Sequence, residues 1–262
     1  MAIIGDYVNY PVDLGLTTAE HTLVDGTIPK TDWRVFYQDD TYTYLIAADY
    51  IPTSKFPTGV FAEISGSYTC YWSSVPTART VATTYKDRFL WYSLGTVSTS
   101  NINYKCSTYL LDSTLWTSMV NSTYADAAIG GPTLEMLVAS WNAEYPTQKL
   151  KFGVNSTGYT VGKTQERVGS SNLSIAVYEV FNNLLYFPHS KSRSTSYWNN
   201  CCGYWMPSPS VQSTDYVWRM ICDGRISTTK YNGGHAGICP VVMLKSTTKL
   251  TKDSNGIWQL SN

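Results

Sequence analysis

The segment Tyr216-Val-Trp-Arg-Met-Ile-Cys-Asp-Gly-Arg-Ile-Ser-Thr-Thr229, with Pro240-Val-Val-Met-Leu244 behind it, decides how this chain folds. Two runs rich in aromatic and β-branched residues meet at Asp223-Gly224. That pair suits a tight hairpin turn, whose backbone must enter the left-handed region that Asp and Gly tolerate. Side chains alternate across a strand, so Trp218 and Met220 take one side while Arg219 and Ile221 take the other. Pro240 to Leu244 reads as a short apolar strand.

Working outward, Trp33-Arg-Val-Phe-Tyr37 and Tyr42-Thr-Tyr-Leu-Ile46 flank the polar turn Gln38-Asp39-Asp40 and form a second hairpin. Leu150 to Gly162 reads as a third, around Ser156-Thr-Gly158. Asp253-Ser-Asn-Gly256 turns the chain into a last strand, Ile257 to Leu260. The strongest helical signal is Leu134, Leu137, Val138 and Trp141, an apolar face at i, i+3, i+4 and i+7. Pro132 suits the first helical position and Pro146 stops the helix, so it spans 132 to 144. Further helices are expected at Thr84 to Leu94 and after Asp112, where Leu115, Trp116, Met119 and Val120 are spaced for one. Asn103 to Leu110 reads as a strand, and residues 51–82 and 189–203 read as loops. Short strands with a few helices make this an α+β chain.

Composition narrows the function. Nineteen basic and 19 acidic side chains cancel, which argues against nucleic acid and against polybasic membrane docking. Charged residues reach only 15%, below the usual share of about 25%. Polar residues replace them, with 21 Tyr against 7 Phe and with 9 Trp. Tyr and Trp supply rigid amphipathic contact area at low entropic cost, and they also favour strands. No apolar run approaches the length of about 18 residues that marks a transmembrane helix, so no membrane insertion is expected. Met1 to Asp6 lacks the basic and apolar regions of a signal peptide.

Catalytic and metal-binding patterns are sparse. His21, His189 and His235 lie far apart, and no H-E-x-x-H, G-x-S-x-G or phosphate-binding loop occurs. Ser227-Thr-Thr-Lys230 and Ser246-Thr-Thr-Lys249 match S-x-x-K without the motifs that accompany it in catalysis. Trp198-Asn199-Asn200 lacks the final carboxylate of a lectin calcium motif, and residues 189–214 contain no acidic side chain, so neither metal nor cofactor is expected. Six cysteines, including the adjacent Cys201 and Cys202, contain no C-x-x-C. Sequons at Asn121, Asn155 and Asn172 are readily produced by chance in so Ser/Thr-rich a chain.

Three late stretches carry a family pattern: Tyr204-Trp-Met-Pro-Ser-Pro209, Val217-Trp-Arg-Met-Ile-Cys-Asp-Gly224 and Gly237-Ile-Cys-Pro-Val-Val-Met-Leu244. Together they resemble a family of bacterial and phage proteins with a C-type-lectin-like fold. Members read Trp–small–Ser–Pro, then a strand ending in Asp-Gly, then Gly-x-Arg-Pro-Val-Val-x-Leu. Val8-Asn-Tyr10, Trp33-Arg-Val-Phe36, Tyr44-Leu-Ile-Ala-Ala-Asp-Tyr-Ile51 and Ile129-Gly-Gly-Pro-Thr-Leu-Glu-Met-Leu137 extend the resemblance over most of the chain. Cys239 departs from it, standing where the family has arginine. The resemblance implies a single C-type-lectin-like domain over 1–262, with its first and last strands close together and 196–244 as its variable, ligand-binding region.

Relatives of this fold include variable proteins of diversity-generating retroelements, whose surface codons are rewritten at adenines. An AAC codon so rewritten never yields Trp, Met, Lys, Gln or Glu. Trp205, Met206, Gln212, Trp218, Met220, Lys230 and Met243 would then be framework. The reachable residues between them are the implied ligand-binding set: Ser213, Asp215, Tyr216, Arg219, Ile221, Cys222, Arg225, Ser227, Thr229, Tyr231, Asn232, His235 and Ile238. Cys201, Cys202 and Cys239 are reachable too. The expected surface places Tyr216, Arg219, Ile221, Arg225, Ser227, Tyr231, Asn232 and His235 on one exposed face over buried Trp205, Trp218 and Met243.

The function implied is recognition of a protein or surface-glycan ligand at a virion or bacterial cell surface, with no catalytic residue. The reading admits a homo-oligomer. One alternative is an oxidoreductase related to formylglycine-generating proteins, for which Cys222 and Cys239 are the candidate pair. The other is a structural virion or surface subunit.

Overall fold

The computed structural model describes residues 2–19, 21–23, 26–57, 61–63, 70–72, 110–147, 150–155, 158–163, 203–209, 216–221, 226–230 and 237–262. They form an α+β structure, mostly sheet. Seven strands make the main sheet: β1 (Tyr7–Asn9), β2 (Trp33–Gln38), β3 (Thr43–Ala47), β6 (Ala125–Ile129), β12 (Val241–Leu244), β13 (Lys249–Lys252) and β14 (Trp258–Ser261). Their order is β13-β14-β1-β2-β3-β12-β6. All neighbours are antiparallel except β1 and β14, which run parallel through Val8↔Trp258 and Asn9↔Gln259. The first and last strands therefore lie side by side, as expected.

Val241-Pro-bounded β12 is the strand that the sequence marks as apolar, and all four of its residues are buried. Period two sends Val241 and Met243 to one face and Val242 and Leu244 to the other. On the first face they join Phe36, Ile46, Ala127 and Ile129 beneath helix α1 (Leu134–Glu144). On the second they join Val8, Trp33, Val35, Leu45 and Trp116. The sheet is thus a layer between two cores.

Helix α1 seats Met136, Leu137, Val138 and Trp141 on the first face. Ser140, wholly buried, donates its hydroxyl to the Phe36 carbonyl at 2.6 Å and so fixes the helix on β2. Thr133 caps the helix, its Oγ1 accepting from the Met136 N–H at 3.2 Å. Pro132 accordingly stands before the cap and not at the first helical position, because the threonine hydroxyl outcompetes it as a terminus.

On the second face, the Asp32 carboxylate accepts the N–H groups of Leu14 at 2.6 Å, Gly15 at 3.3 Å and Leu16 at 2.9 Å. This pulls buried Leu14 and Leu16 onto the sheet. The Trp33 indole donates to Val12 O at 2.8 Å, and Tyr10 packs edge-on against its ring. Tyr10 in turn donates to Met119 O at 2.9 Å and accepts from Asn121 N–H at 2.6 Å.

The hairpins at 33–47, 150–163 (β7, Leu150–Asn155, with β8, Gly158–Lys163), 216–230 and 249–261 match the turn signals. At Asp39 the carboxylate accepts from Thr41 and Tyr42 N–H, which shapes the β2–β3 turn. Three expectations change. The segment after Asp112 is turns and a 3-10 stretch, Thr117–Met119: Asp112 accepts the Thr114 N–H and hydroxyl, but the bonds that follow run three residues back, from Leu115 to Asp112 and from Trp116 to Ser113, and no α-helix propagates. Leu110 is helical and not the end of a strand. Within the loop-like stretch 51–82, β4 (Phe61–Glu63) and β5 (Cys70–Trp72) pair as a short hairpin. The expected helix at 84–94, residues 103–109 of the expected strand and most of the 189–203 loop lie outside the described residues.

Two predictions follow from this packing. A Cβ at Gly130 would run into the Trp116 ring and come within 2.7 Å of Leu110. Gly130→Ala is expected to cost about 1–3 kcal/mol by overpacking, read as a lowered denaturant midpoint. Burial pushes the Tyr10 hydroxyl from 10.0 up to about 12. A folded pKa above the unfolded one gives stability that is intact below pH 10.0 and is lost as pH rises towards about 12. Phenolate absorbance should show this tyrosine ionising late, and Tyr10→Phe should remove that component of the alkaline decline.

Candidate functional site

A separate three-stranded sheet carries the stretch proposed from sequence. Its strands are β9 (Gly203–Pro209), β10 (Tyr216–Ile221) and β11 (Ile226–Lys230), in the order β11-β10-β9. Between β10 and β11 the register is Tyr216↔Lys230, Val217↔Thr229, Trp218↔Thr228, Arg219↔Ser227 and Met220↔Ile226. Residues directly opposite share a face. Val217, Arg219, Ile221, Ser227 and Thr229 therefore belong to one phase, and Tyr216, Trp218, Met220, Thr228 and Lys230 to the other.

The second phase is the anchoring one. Trp218 and Met220 are buried, together with Tyr204 and Met206 of β9, in the core that α1 covers. Trp205 and Met243 are buried as well, as expected, but Trp205 packs in the second core and pairs across from Arg219, so it lies on the Arg219 side of the small sheet and not beneath it. Backbone bonds fasten this sheet to the larger one. Trp205 N–H donates to Gly237 O at 3.0 Å, Ile51 N–H to Ile238 O at 3.0 Å and Ala47 N–H to Pro240 O at 3.0 Å. Two close approaches require glycine: a Cβ at Gly237 would lie 2.6 Å from the Tyr50 ring, and one at Gly131 would lie 2.7 Å from Trp205 O.

The strand β9 carries an irregularity that the sequence reading did not foresee. Val217 pairs with Pro209 and Arg219 with Trp205, so Met206, Pro207 and Ser208 together oppose Trp218. Pro207 has no N–H to give a ladder, and a bulge is where sheets accommodate such a residue. Beyond the bulge, Arg219 sits directly across from Trp205. Trp205 is buried, and its indole N–H finds no acceptor among the described residues. Arg219 is consequently half-buried at this end of its face, not openly exposed.

Two members of the expected ligand-binding set are corrected. Tyr216 shares register phase with Trp218 and Met220, opposite to Arg219, because it stands two residues from Trp218. Ile238 is completely buried, packed with Leu14, Trp33 and Leu45, and its backbone is committed to Ile51. It is framework. Arg219, Ile221 and Ser227 fall in one register phase as expected, and Thr229 falls in it too. Ser213, Asp215, Cys222, Arg225, Tyr231, Asn232 and His235 lie outside the described residues.

Elsewhere, His21 Nδ1 lies 3.6 Å from the buried Asp49 carboxylate, whose other oxygen accepts the Tyr50 N–H at 2.7 Å. Cys239 is a buried thiol. Among the described residues no three His, Cys, Asp or Glu side chains converge as a metal site, and no helix is long and apolar enough to cross a membrane. No protein-family model, no curated protein and no solved structure matches this chain.

The two phases predict unequal mutants. Trp218→Ala should cost about 3–5 kcal/mol of stability, as a buried aromatic does. Arg219→Ala should cost less than about 2 kcal/mol. Equal losses in thermal unfolding would mean that both phases are core.

Proposed function

We propose that the chain is a ligand-recognition protein: a C-type-lectin-like scaffold that presents a diversifiable surface at a virion or bacterial cell surface. The observation that carries this reading is the fate of residues that rewriting of AAC codons cannot produce. Of the seven such residues, Trp205, Met206, Trp218, Met220 and Met243 are buried at 3% exposure or less, while Gln212 and the Lys230 side chain lie outside what is described. A surface open to rewriting needs a framework that rewriting leaves alone, and the burial of these five residues supports that reading.

The face itself suits adaptable contact. Arg219, Ser227 and Thr229 offer a guanidinium and two hydroxyls, groups that can bond to protein or glycan partners. Ile221 in the same phase adds apolar area. The enzymatic alternative requires a committed pair of thiols in a pocket; Cys239 is buried in the core, and Cys222 lies outside the described residues.

The neighbouring DNA tests the proposal most cheaply. A reverse-transcriptase gene beside this one, with a near-copy of its 3′ end differing at adenines, is the expected finding. Gene copies that vary without regard to template adenines would overturn it. At the protein level, Arg219, Ser227 and Thr229 replaced together by Ala should abolish adsorption to host cells while leaving the melting temperature nearly unchanged.

A further inference from the structure

The turn from β13 to β14 reads Asp253-Ser-Asn-Gly-Ile257 and contains a chemically fragile peptide. In an Asn-Gly pair the glycine nitrogen can reach the asparagine side-chain carbonyl, since glycine has no Cβ in the way. That nitrogen gives its proton to solvent base and attacks Cγ; a C–N bond forms, the C–NH₂ bond breaks and ammonia leaves. The cyclic imide then takes up water at either carbonyl, giving aspartate or its β-linked isomer. The net change is amide plus water to acid plus ammonia, with no redox partner. The chain has two such pairs, Asn232-Gly233 and Asn255-Gly256, of which the first lies outside the described residues.

Asn255 and Gly256 are exposed, so base and water reach them. The geometry nevertheless opposes attack. Gly256 N–H, the nucleophile, donates to Asp253 O at 3.1 Å. The Asp253 carboxylate accepts from Asn255 N–H at 2.8 Å, from Ile257 N–H at 2.9 Å and from Gln259 Nε2 at 3.0 Å. One residue thus holds all three successive backbone N–H groups, and Gly256 is fixed at φ +80°. These bonds, the one from Ile257 foremost, hold the Asp253 carboxyl below its ordinary range, so the clamp is complete at neutral pH.

We propose that Asn255 is a modification site gated by Asp253, converting slowly to aspartate and isoaspartate while the turn is held and rapidly once the β13–β14 hairpin opens. The β-linked isomer adds a backbone carbon inside a turn whose ends are paired as Lys252↔Trp258. Trp258 also pairs with Val8 of β1, so the change would reach the strand that closes the sheet. Conversion is one-way, and the modified turn keeps a chemical record of past openings.

Peptide mapping by mass spectrometry of the full chain, aged at neutral pH, tests this. Wild-type protein should convert Asn255 far more slowly when folded than when held in guanidinium. Asp253→Ala should raise the folded-state rate about tenfold, equivalent to about 1.4 kcal/mol, the size of one or two net hydrogen bonds. Asn232 conversion in the same samples should not change, which separates release of this turn from general loosening. Equal rates at Asn255 in folded and denatured wild type would overturn the proposal, and so would a folded variant converting at the wild-type rate. A parallel rise at both asparagines would overturn it too. If the variant does not fold, the wild-type comparison still decides.

Discussion

The structure depends on burying both faces of one short strand. Val241 to Leu244 hydrogen-bond to β3 on one side and β6 on the other, and their side chains alternate between two cores. Four apolar residues flanked by a strand on each side can occupy such a place; a charged or unpaired group there would lose its hydration without return. Everything else is arranged to cover the two faces. Helix α1 and the β9–β10 pair cover one, and the Asp32-tethered N-terminal segment and the turns around Trp116 cover the other.

This constraint also positions the candidate recognition surface. The chain enters β12 through Gly237, Ile238, Cys239 and Pro240, all buried, and that entry segment bonds to Trp205, Ile51 and Ala47. The small sheet therefore hangs from the backbone that leads into the central strand. Its anchoring phase adds Trp218, Met220, Tyr204 and Met206 to the same core as α1.

The elements visible in the sequence were those specified locally. Hairpins with a turn signal between alternating runs, the α1 face and the apolar β12 all depend on residues close together in the chain. What escaped depends on distant partners. The closeness of the first and last strands is implied only by the resemblance, their parallel pairing by nothing in the sequence, and the β4–β5 hairpin by no turn signal. At the site, the split between Trp218 and Arg219 follows from period two alone. Strict counting also puts Tyr216 with Trp218, against the grouping by residue type. The half-burial of Arg219 was out of reach, because it depends on a register that shifts at Pro207. Ile238 shows the same limit: its residue type fits a variable position, yet its backbone and side chain are both committed to the core.

The parallel pairing of β1 and β14 has a mechanical meaning. The chain enters one strand and leaves the other at opposite ends of the pair, since both run in the same direction. Tension applied to the chain before Tyr7 and after Ser261 would therefore be directed along the strands. It loads the bonds between them together, as shear, in place of peeling them apart in sequence. The pairing that joins the first and last strands is at the same time their fastening against extension.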